Sequence, residues 1–438
     1  MTVLVYTLGV VLFALGVVAS IALHEVGHMW PAKKFGVKVT QYFVGFGKTM
    51  WSTKRGETEY GVKLFPLGGF VKLVGMLPPA KGDDPTKLRK SNTGLFTQLI
   101  SDARAAEYEH IRPGDEERLF YRKPWWQKLL IMAGGPMVNV ALAVLILGGV
   151  WMTYGVTVFK PVVDEVSDCV ISATEVVADP DRVCEPGDPV APAREAGMRT
   201  GDRIVSFNGE QITSWEELTG LIRANESGEA QIGVVRDGEP LTLATNTTVS
   251  TRPDLEDTER FVEVGFLGVT PTPVRERQDV GFVVVTMGEY AQATGEALVH
   301  IPEKMVGVFQ AAFGGAEREV DSPMSVVGAS RTAGEISTAV ELSPADRIAT
   351  VLVLLGLVNL FVALFNFIPL LPLDGGHMAG ALYEAGRRGA ARVFRRPDPG
   401  YVDVAKMLPV AYVMAGLLLV MGVLLIYADI VNPIRLPL

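Results

Sequence analysis

Four stretches of this chain go without charge for long enough to cross a lipid bilayer. A hydrocarbon core about 30 Å thick needs roughly 20 apolar residues at 1.5 Å rise each. Val3 to Leu23, Leu129 to Val150, the interval between Arg347 and Asp374, and Met407 to Ala428 each meet that length. Only small or uncharged polar residues interrupt them, among them Ser20, Asn139, Asn359 and Asn366. The pattern predicts a polytopic α-helical membrane protein with four transmembrane helices. The first run has no Lys or Arg before it and ends in His24-Glu25 instead of a small-residue cleavage site, so it reads as a retained span.

Between the second and third spans the period changes. Ile204-Val-Ser-Phe207 alternates into the turn pair Asn208-Gly209, and Ser214-Trp-Glu-Glu217 is a capping box opening a helix over Trp215–Ala224. Ile232–Arg236 and Leu241–Ala244 flank Asp237-Gly238, a type I′ hairpin signal. Residues 154–272 therefore read as a β-rich module. With Ala196-Gly197-Met-Arg-Thr-Gly201-Asp202-Arg-Ile204 the segment resembles a PDZ domain, which binds an extended peptide at a sheet edge or captures a C-terminal carboxylate. A β-rich spacer that binds nothing is the alternative. From Thr286 to Gly314 the pattern turns helical but carries Glu289, Glu296, Glu303 and Lys304, too much charge to span. An amphipathic helix is expected there, in water, along the outer membrane surface or packed on the module.

Composition agrees with a membrane protein: of 438 residues, 48% are hydrophobic and 20% charged. Two cysteines exclude a disulfide-dense scaffold, and a net charge of −9 argues against a nucleic-acid partner. The distribution of charge orients the spans. Residues 29–127 hold 17 Lys/Arg against 10 Asp/Glu, whereas 154–348 hold 15 against 33. Lys33, Lys34 and Lys38 follow the first span, and Arg118, Arg122 and Lys123 precede the second. By the positive-inside rule the first loop is cytoplasmic and the β-rich module extracytoplasmic, with both termini outside. Trp125-Trp126 suits an interfacial anchor. Cys169 and Cys184 then lie on the oxidising side, where a disulfide closing that loop would contribute about 3 kcal/mol on the chain-entropy model. Two free thiols are the alternative.

The expected organisation is a span at 1–28, a cytoplasmic loop at 29–127 with a membrane-associated β segment near 40–75, and a second span at 128–153. An extracytoplasmic β-rich module follows at 154–272 and a helical connector at 273–347. A third span at 348–375, a cytoplasmic loop at 376–405, a fourth span at 406–428 and a tail at 429–438 complete it.

Two of the five histidines stand in His24-Glu25-Val26-Gly27-His28. Positions i and i+4 of a helix share a face, so both imidazoles reach one ion, and the glutamate beside the first reaches a water on that ion. Zinc catalysis wants three protein ligands and one open position. Two metal-free, hydrogen-bonded histidines are the alternative, but three ionisable groups directly after an apolar span are expensive in lipid unless they line a cavity or bind something. A third ligand should come from another span at the same depth. Asn366-Phe-Ile-Pro369-Leu-Leu-Pro372-Leu373-Asp374-Gly375-Gly376-His377 closes the third run on the same side. Asp374 is the preferred candidate, with His377 competing. Pro369 and Pro372 break the helix there, which membrane depth tolerates only beside protein or a wet cavity.

These residues resemble the site-2 protease family of intramembrane zinc metalloproteases, in the bacterial branch that includes the regulator of sigma-E protease. His24-Glu25-Val26-Gly27-His28 matches the family's first motif, and Asn366, Pro369, Leu373, Asp374 and Gly375 match its second, Asn-x-x-Pro-x-x-x-Leu-Asp-Gly. Gly45-Phe46-Gly47 and the run from Glu59 to Phe70 look like its membrane-associated β segment, and Gly135-Pro136-Met-Val-Asn139 like its second span. The resemblance implies Zn²⁺ on His24, His28 and Asp374, Glu25 as general base, and Asn366 on the substrate backbone with Pro369 beside it. It implies transmembrane protein substrates in the cell (cytoplasmic) membrane, such as anti-sigma factors or remnant signal peptides. The strand-like Val62-Lys-Leu-Phe65, through Val62 and Leu64, is expected either to pair with unwound substrate by edge addition or to serve as a structural hairpin. Only one PDZ-like module is found where several relatives have two, and the stretch from Asp83 to Phe120 has no counterpart. A catalytically silent PDZ scaffold and a metal transporter are the competing classes. The scaffold predicts a lost ligand or base, and the transporter predicts polar positions strung through the bilayer. Neither is seen.

Overall fold

The structure is a computed structural model that describes residues 2–79, 95–108, 111–179, 181–255, 260–316, 318–319 and 321–434. The chain forms two units, Met1–Tyr154 with Asp279–Leu438, and Gly155–Gln278. The first unit opens with α1 (Thr2–Lys34), the hairpin strands β1 (Val39–Arg55) and β2 (Thr58–Leu73), α2 (Leu95–Tyr108) and α3 (Trp125–Thr153). The second contains β3 (Val156–Val166), α4 (Ala173–Ala178), α5 (Pro192–Glu195), β4 (Arg203–Phe207), β5 (Glu210–Gln211) and α6 (Trp215–Ala224). It continues with β6 (Glu229–Arg236), β7 (Glu239–Asn246), β8 (Thr248–Pro253), β9 (Phe261–Phe266) and β10 (Val269–Glu276). The chain then returns to the first unit for α7 (Val280–Phe313), α8 (Val326–Thr338), α9 (Pro344–Asn366), α10 (Asp374–Val393) and α11 (Leu408–Val431).

Among the described residues four helices are long and apolar enough to cross a membrane: Thr2–Lys34, Trp125–Thr153, Pro344–Asn366 and Val404–Val431. Helix α9 starts where its sequence dictates, with Ser343 accepting from the Asp346 amide at 3.2 Å and Pro344 at the first turn. It stops at Asn366, nine residues short of the expected end, because Pro369 disfavours helix just before it and Asp374 begins a new helix, α10. Helices α1 and α3 cross in near contact at Gly27 and Gly134, where a Cβ on either would collide with the other's carbonyl oxygen. Small residues at a crossing let two backbones approach in lipid. Phe13 and Val17 of α1 pack with Ala329 and Ala333 of α8 and with Leu355 and Val358 of α9.

The β1–β2 hairpin is bent, and its order differs from the sequence expectation. Gly45 (φ +93°) and Gly68 (φ +139°) turn each strand back, in backbone conformations open chiefly to glycine. Residues 39–44 pair with 69–73 on one side and with 59–62 on the other, while 58–63 also pair with 49–55. Val62 therefore faces Val44 on one side and Trp51 on the other, and Leu64 lies between the Lys63–Thr49 and Phe65–Phe46 pairings. Val62 is thus interior to the sheet, whereas Lys63 and Phe65 are paired on one side. The segments 69–73 and 49–55 are the two outer ones. Of the stretch 83–120, residues 83–94 and 109–110 lie outside the described residues. What is described is pinned by Lys38 Nζ to Asp115 at 2.5 Å and by Glu107, which accepts from the Gly75 and Met76 amides.

Helix α7 begins six residues before the expected start and belongs to the helical unit. Val283 packs at Gly148 of α3, Phe282 and Tyr290 stand edge-on to Trp151, and Val308 and Ala312 meet Ala428 of α11. Val283, Val308, Ala311 and Ala312 are buried, while Val284, Val299 and Phe309 are exposed.

The β unit has the sheet order β10-β3-β4-β6-β7, with β5 on β4 and β8–β9 as a separate hairpin. Val163, Ile204, Phe207, Leu218, Ile232, Val234 and Leu267 fill its core beneath α6. Strand β10 pairs with β3 as far as Glu276, so the unit closes four residues beyond the expected 272. Asn208-Gly209 and Asp237-Gly238 all have positive φ, as type I′ turns require. Cys169 and Cys184 are joined, with S–S 2.02 Å. The buried Asp202 carboxylate accepts from Nε and Nη2 of Arg236, each at 2.7 Å, and from the Arg199 amide at 2.8 Å.

Arg236, followed by that amide, holds the Asp202 carboxyl below its ordinary range. Its stabilisation is complete above the unfolded-state value of about 4 and is lost as pH falls through the native value. Asp202→Asn should destabilise the β unit by about 2 kcal/mol at neutral pH and remove that acid-dependent component. Hydrogen exchange at the β4 and β6 amides between pH 3 and pH 7 checks this; protection equal to wild type at every pH would refute it.

Candidate active site

Helix α1 carries His24 and His28 one turn apart on the face turned to α3, where both are buried. Each ring is held through Nδ1. His24 Nδ1 donates to Asn139 Oδ1 at 2.6 Å, and His28 Nδ1 donates to the Ile131 carbonyl at 2.8 Å. Both hydrogens are thereby placed on Nδ1, leaving both Nε2 atoms as bare lone pairs. Those two atoms lie 3.2 Å apart, and each lies 3.3 Å from Asp374 Oδ2. Asp374 Oδ2 is itself buried without a hydrogen-bond partner.

Three acceptor atoms in a buried triangle repel one another unless a cation sits among them. Tetrahedral zinc with bonds of about 2.0–2.1 Å to nitrogen and oxygen sets its ligands roughly 3.3–3.4 Å apart. The triangle has that edge length, and two imidazoles with one carboxylate is a zinc donor set. Gly135 of α3 leaves the space: a Cβ there would collide with His28 Nε2 and lie 2.7 Å from His24 Nε2. Among the described residues, His24, His28 and Asp374 are the group that could hold a metal ion.

The cluster opens into a cavity of about 480 Å³ lined by residues of α1, β1, β2, α3 and α9, by Pro372 and by the start of α10. Glu25 lines it, and Gly69 of β2 packs so closely on Glu25 that a Cβ would come within 2.9 Å of its Cγ. The Val71 amide lies beside the Glu25 carboxylate, and Tyr42 donates to the Ala22 carbonyl at 2.9 Å, tying the sheet to α1. The outer segment 69–73 thus borders the cavity. Asn366 lines it too, its side-chain nitrogen donating to the Val362 carbonyl at 3.0 Å. His377 lines the cavity but stands outside the three-atom cluster. Pro369, Val62 and Leu64 do not line it. Sequence reasoning assigned no role to Asn139 or Gly135. The available signal was an amide side chain within an otherwise apolar span, which lipid does not tolerate without a partner.

The chain matches the model of peptidase family M50 over residues 12–396. It is 34% identical to zinc metalloprotease Rip1 of Mycobacterium tuberculosis, over 99% of this chain and 100% of that protein. Identity to Rip1 of Mycolicibacterium smegmatis is 30%, with the same coverage. It is also 24% identical to the regulator of sigma-W protease RasP of Bacillus subtilis, over 83% of this chain and 86% of that protein.

Gly135→Ala should drive the imidazoles off their positions and weaken zinc binding by at least about tenfold, the lower range for disturbed metal surroundings. Metal analysis of purified protein after dialysis against a weak chelator measures it. Full zinc occupancy in that variant would contradict the geometry.

Proposed function

The chain belongs to peptidase family M50, the site-2 proteases, and is a zinc metalloprotease; we propose that His24, His28 and Asp374 hold its zinc and that Glu25 is its general base. The reading rests above all on two bare imidazole nitrogens and one unpartnered carboxylate oxygen meeting within 3.3 Å beside Glu25. Four apolar helices accompany that cluster in one unit. The reaction is hydrolysis of a peptide bond within a membrane-spanning segment, as part of regulated intramembrane proteolysis. Bound zinc supplies Lewis-acid polarisation of the scissile carbonyl and acidifies water. Glu25 takes the proton of the attacking water on its carboxylate and delivers a proton to the leaving amine.

A helical substrate hides its amides in its own hydrogen bonds, so it must be unwound first. The segment 69–73 lies at an edge of the sheet and borders Glu25, which favours it over Val62 as the strand that pairs with unwound substrate. Asn366 can exchange its bond to the Val362 carbonyl for one to the substrate backbone, and Pro369 keeps the turn after α9 open. Exposed Phe46, Met50, Trp51 and Phe65 suit a hairpin dipping into lipid. The charge balance favours a chain in the cytoplasmic membrane, with loops 29–127 and 376–405 inside and the β unit, as a PDZ-like module, outside. That module would admit substrates already shortened on the outer side. The Bacillus relative is named for sigma-W regulation, which favours single-span regulators of the anti-sigma type as substrates, with remnant signal peptides as a second group. A silent scaffold would lack a ligand or the base, and none is missing.

Glu25→Gln should lower peptidase activity about 10²–10⁴-fold while zinc content stays at one per chain. Cleavage at the wild-type rate would remove Glu25 from its role. In that inactive background, a photo-crosslinking residue at Phe70 should capture a single-span substrate and one at Val62 should not. The reverse pattern would return the pairing role to the inner segment.

A further inference from the structure

His24, Asn139, Asn359 and Ser20 form a directional chain of hydrogen bonds across α1, α3 and α9, with every donor and acceptor determined by the next. At its far end Asn359 Nδ2 donates to the Leu355 carbonyl at 2.8 Å and to Ser20 Oγ at 3.1 Å. The carbonyl can only accept, and the Ser20 hydroxyl spends its hydrogen on the Gly16 carbonyl at 3.0 Å. The Asn359 amide therefore has its nitrogen on that side and its oxygen toward α3. Asn359 Oδ1 accepts from Asn139 Nδ2 at 3.0 Å, which turns Asn139 Oδ1 toward His24. Asn139 and Asn359 are buried, 2% and 1% exposed, beside the cavity.

We propose that Asn139 is a positioning residue for the zinc site, and that Asn359 acts through it by preventing the Asn139 amide from turning over. A flipped Asn139 would present NH₂ to His24 Nδ1. The imidazole hydrogen would then move to Nε2, the atom that faces Asp374 and His28, and the ligand would be lost. The orientation of one metal ligand on α1 is thus set by a backbone carbonyl on α9, two side chains away. The inference rests on His24 being a ligand, the reading given above. It adds a dependence of zinc affinity on the third span that the ligand set alone does not contain.

Zinc affinity of the detergent-solubilised full chain, by competition with a chromophoric chelator, tests it, with the melting temperature of the zinc-free form as the folding control. His24→Ala first tests the ligand reading, and unchanged zinc affinity there would defeat that reading and this one together. If His24→Ala loses zinc, Asn139→Leu should weaken binding about 10–100-fold, the range for outer-shell partners of ligating histidines. Asn139→Asp, which presents an acceptor whichever way it turns, should bind zinc at least tenfold more tightly than Asn139→Leu. Asn359→Leu should weaken zinc binding when residue 139 is Asn and have no such effect when it is Asp. Packing alone would make Asn359→Leu equally harmful in both backgrounds, and that result overturns the proposal. Wild-type affinity in Asn139→Leu overturns it as well. If Asn139→Leu lowers the melting temperature of the zinc-free form, Asn139→Ser, whose hydroxyl is too short to reach His24, replaces it under the same criteria.

Discussion

Inside an apolar helical unit, a lone pair without a hydrogen opposite it is costly, and three of them converge on one point between α1, α3 and the start of α10. Everything nearby accommodates that concentration of negative potential. Gly135 withdraws its side chain, the Gly27–Gly134 crossing brings α3 close enough for Ile131 and Asn139 to hold the imidazoles from behind, and Pro372 turns the chain so that Asp374 can lead a new helix toward the histidines. The arrangement suits a cation site.

Buried charged pairs also join helices elsewhere in the same unit, one of them between helices at the cluster. Lys128 of α3 and Glu384 of α10 meet at 2.6 Å with almost no exposure, joining the helix that presents Gly135 and Asn139 to the helix that begins at Asp374. Arg318 and Asp429 meet at 2.5 Å, and the Asp429 carboxylate also accepts from the Ser325 and Gly328 amides at the start of α8. Such pairs are weak sources of net stability, but breaking one leaves an uncompensated charge. Their effect is on geometry, because helices that share a buried charge cannot slide past each other cheaply.

How far the site could be read in advance differs from residue to residue. Helical spacing alone places His24 and His28, at i and i+4, on one face, with Glu25 beside the first. Asp374 was legible only as a partner, since a carboxylate at the end of a span is ordinarily a solvated cap. Between Asp374 and His377 sequence could state a preference without a distance, and the triangle of donor atoms includes the aspartate. For Val62 and Leu64, alternation identifies a strand and says nothing of its neighbours; the glycine bends give Val62 a partner on each side, Val44 and Trp51. Helix α7 carries too much charge to span, and a few of its apolar residues, Val283, Val308 and Ala312 among them, are buried against α3 and α11.

Sequence alone determined what depends on distances along one chain: the number of long apolar runs, the i, i+4 histidine pair, and the turn pairs of the β unit. These follow from fixed rises and periods of backbone, which no partner can alter. Tertiary structure alone decided which atom of each histidine is free, which segments of the hairpin lie outermost, and that Asn139 and Asn359 share a hydrogen bond 220 residues apart in the chain. Those outcomes depend on which helices touch and at what rotation, and packing sets both through contacts that no local period encodes.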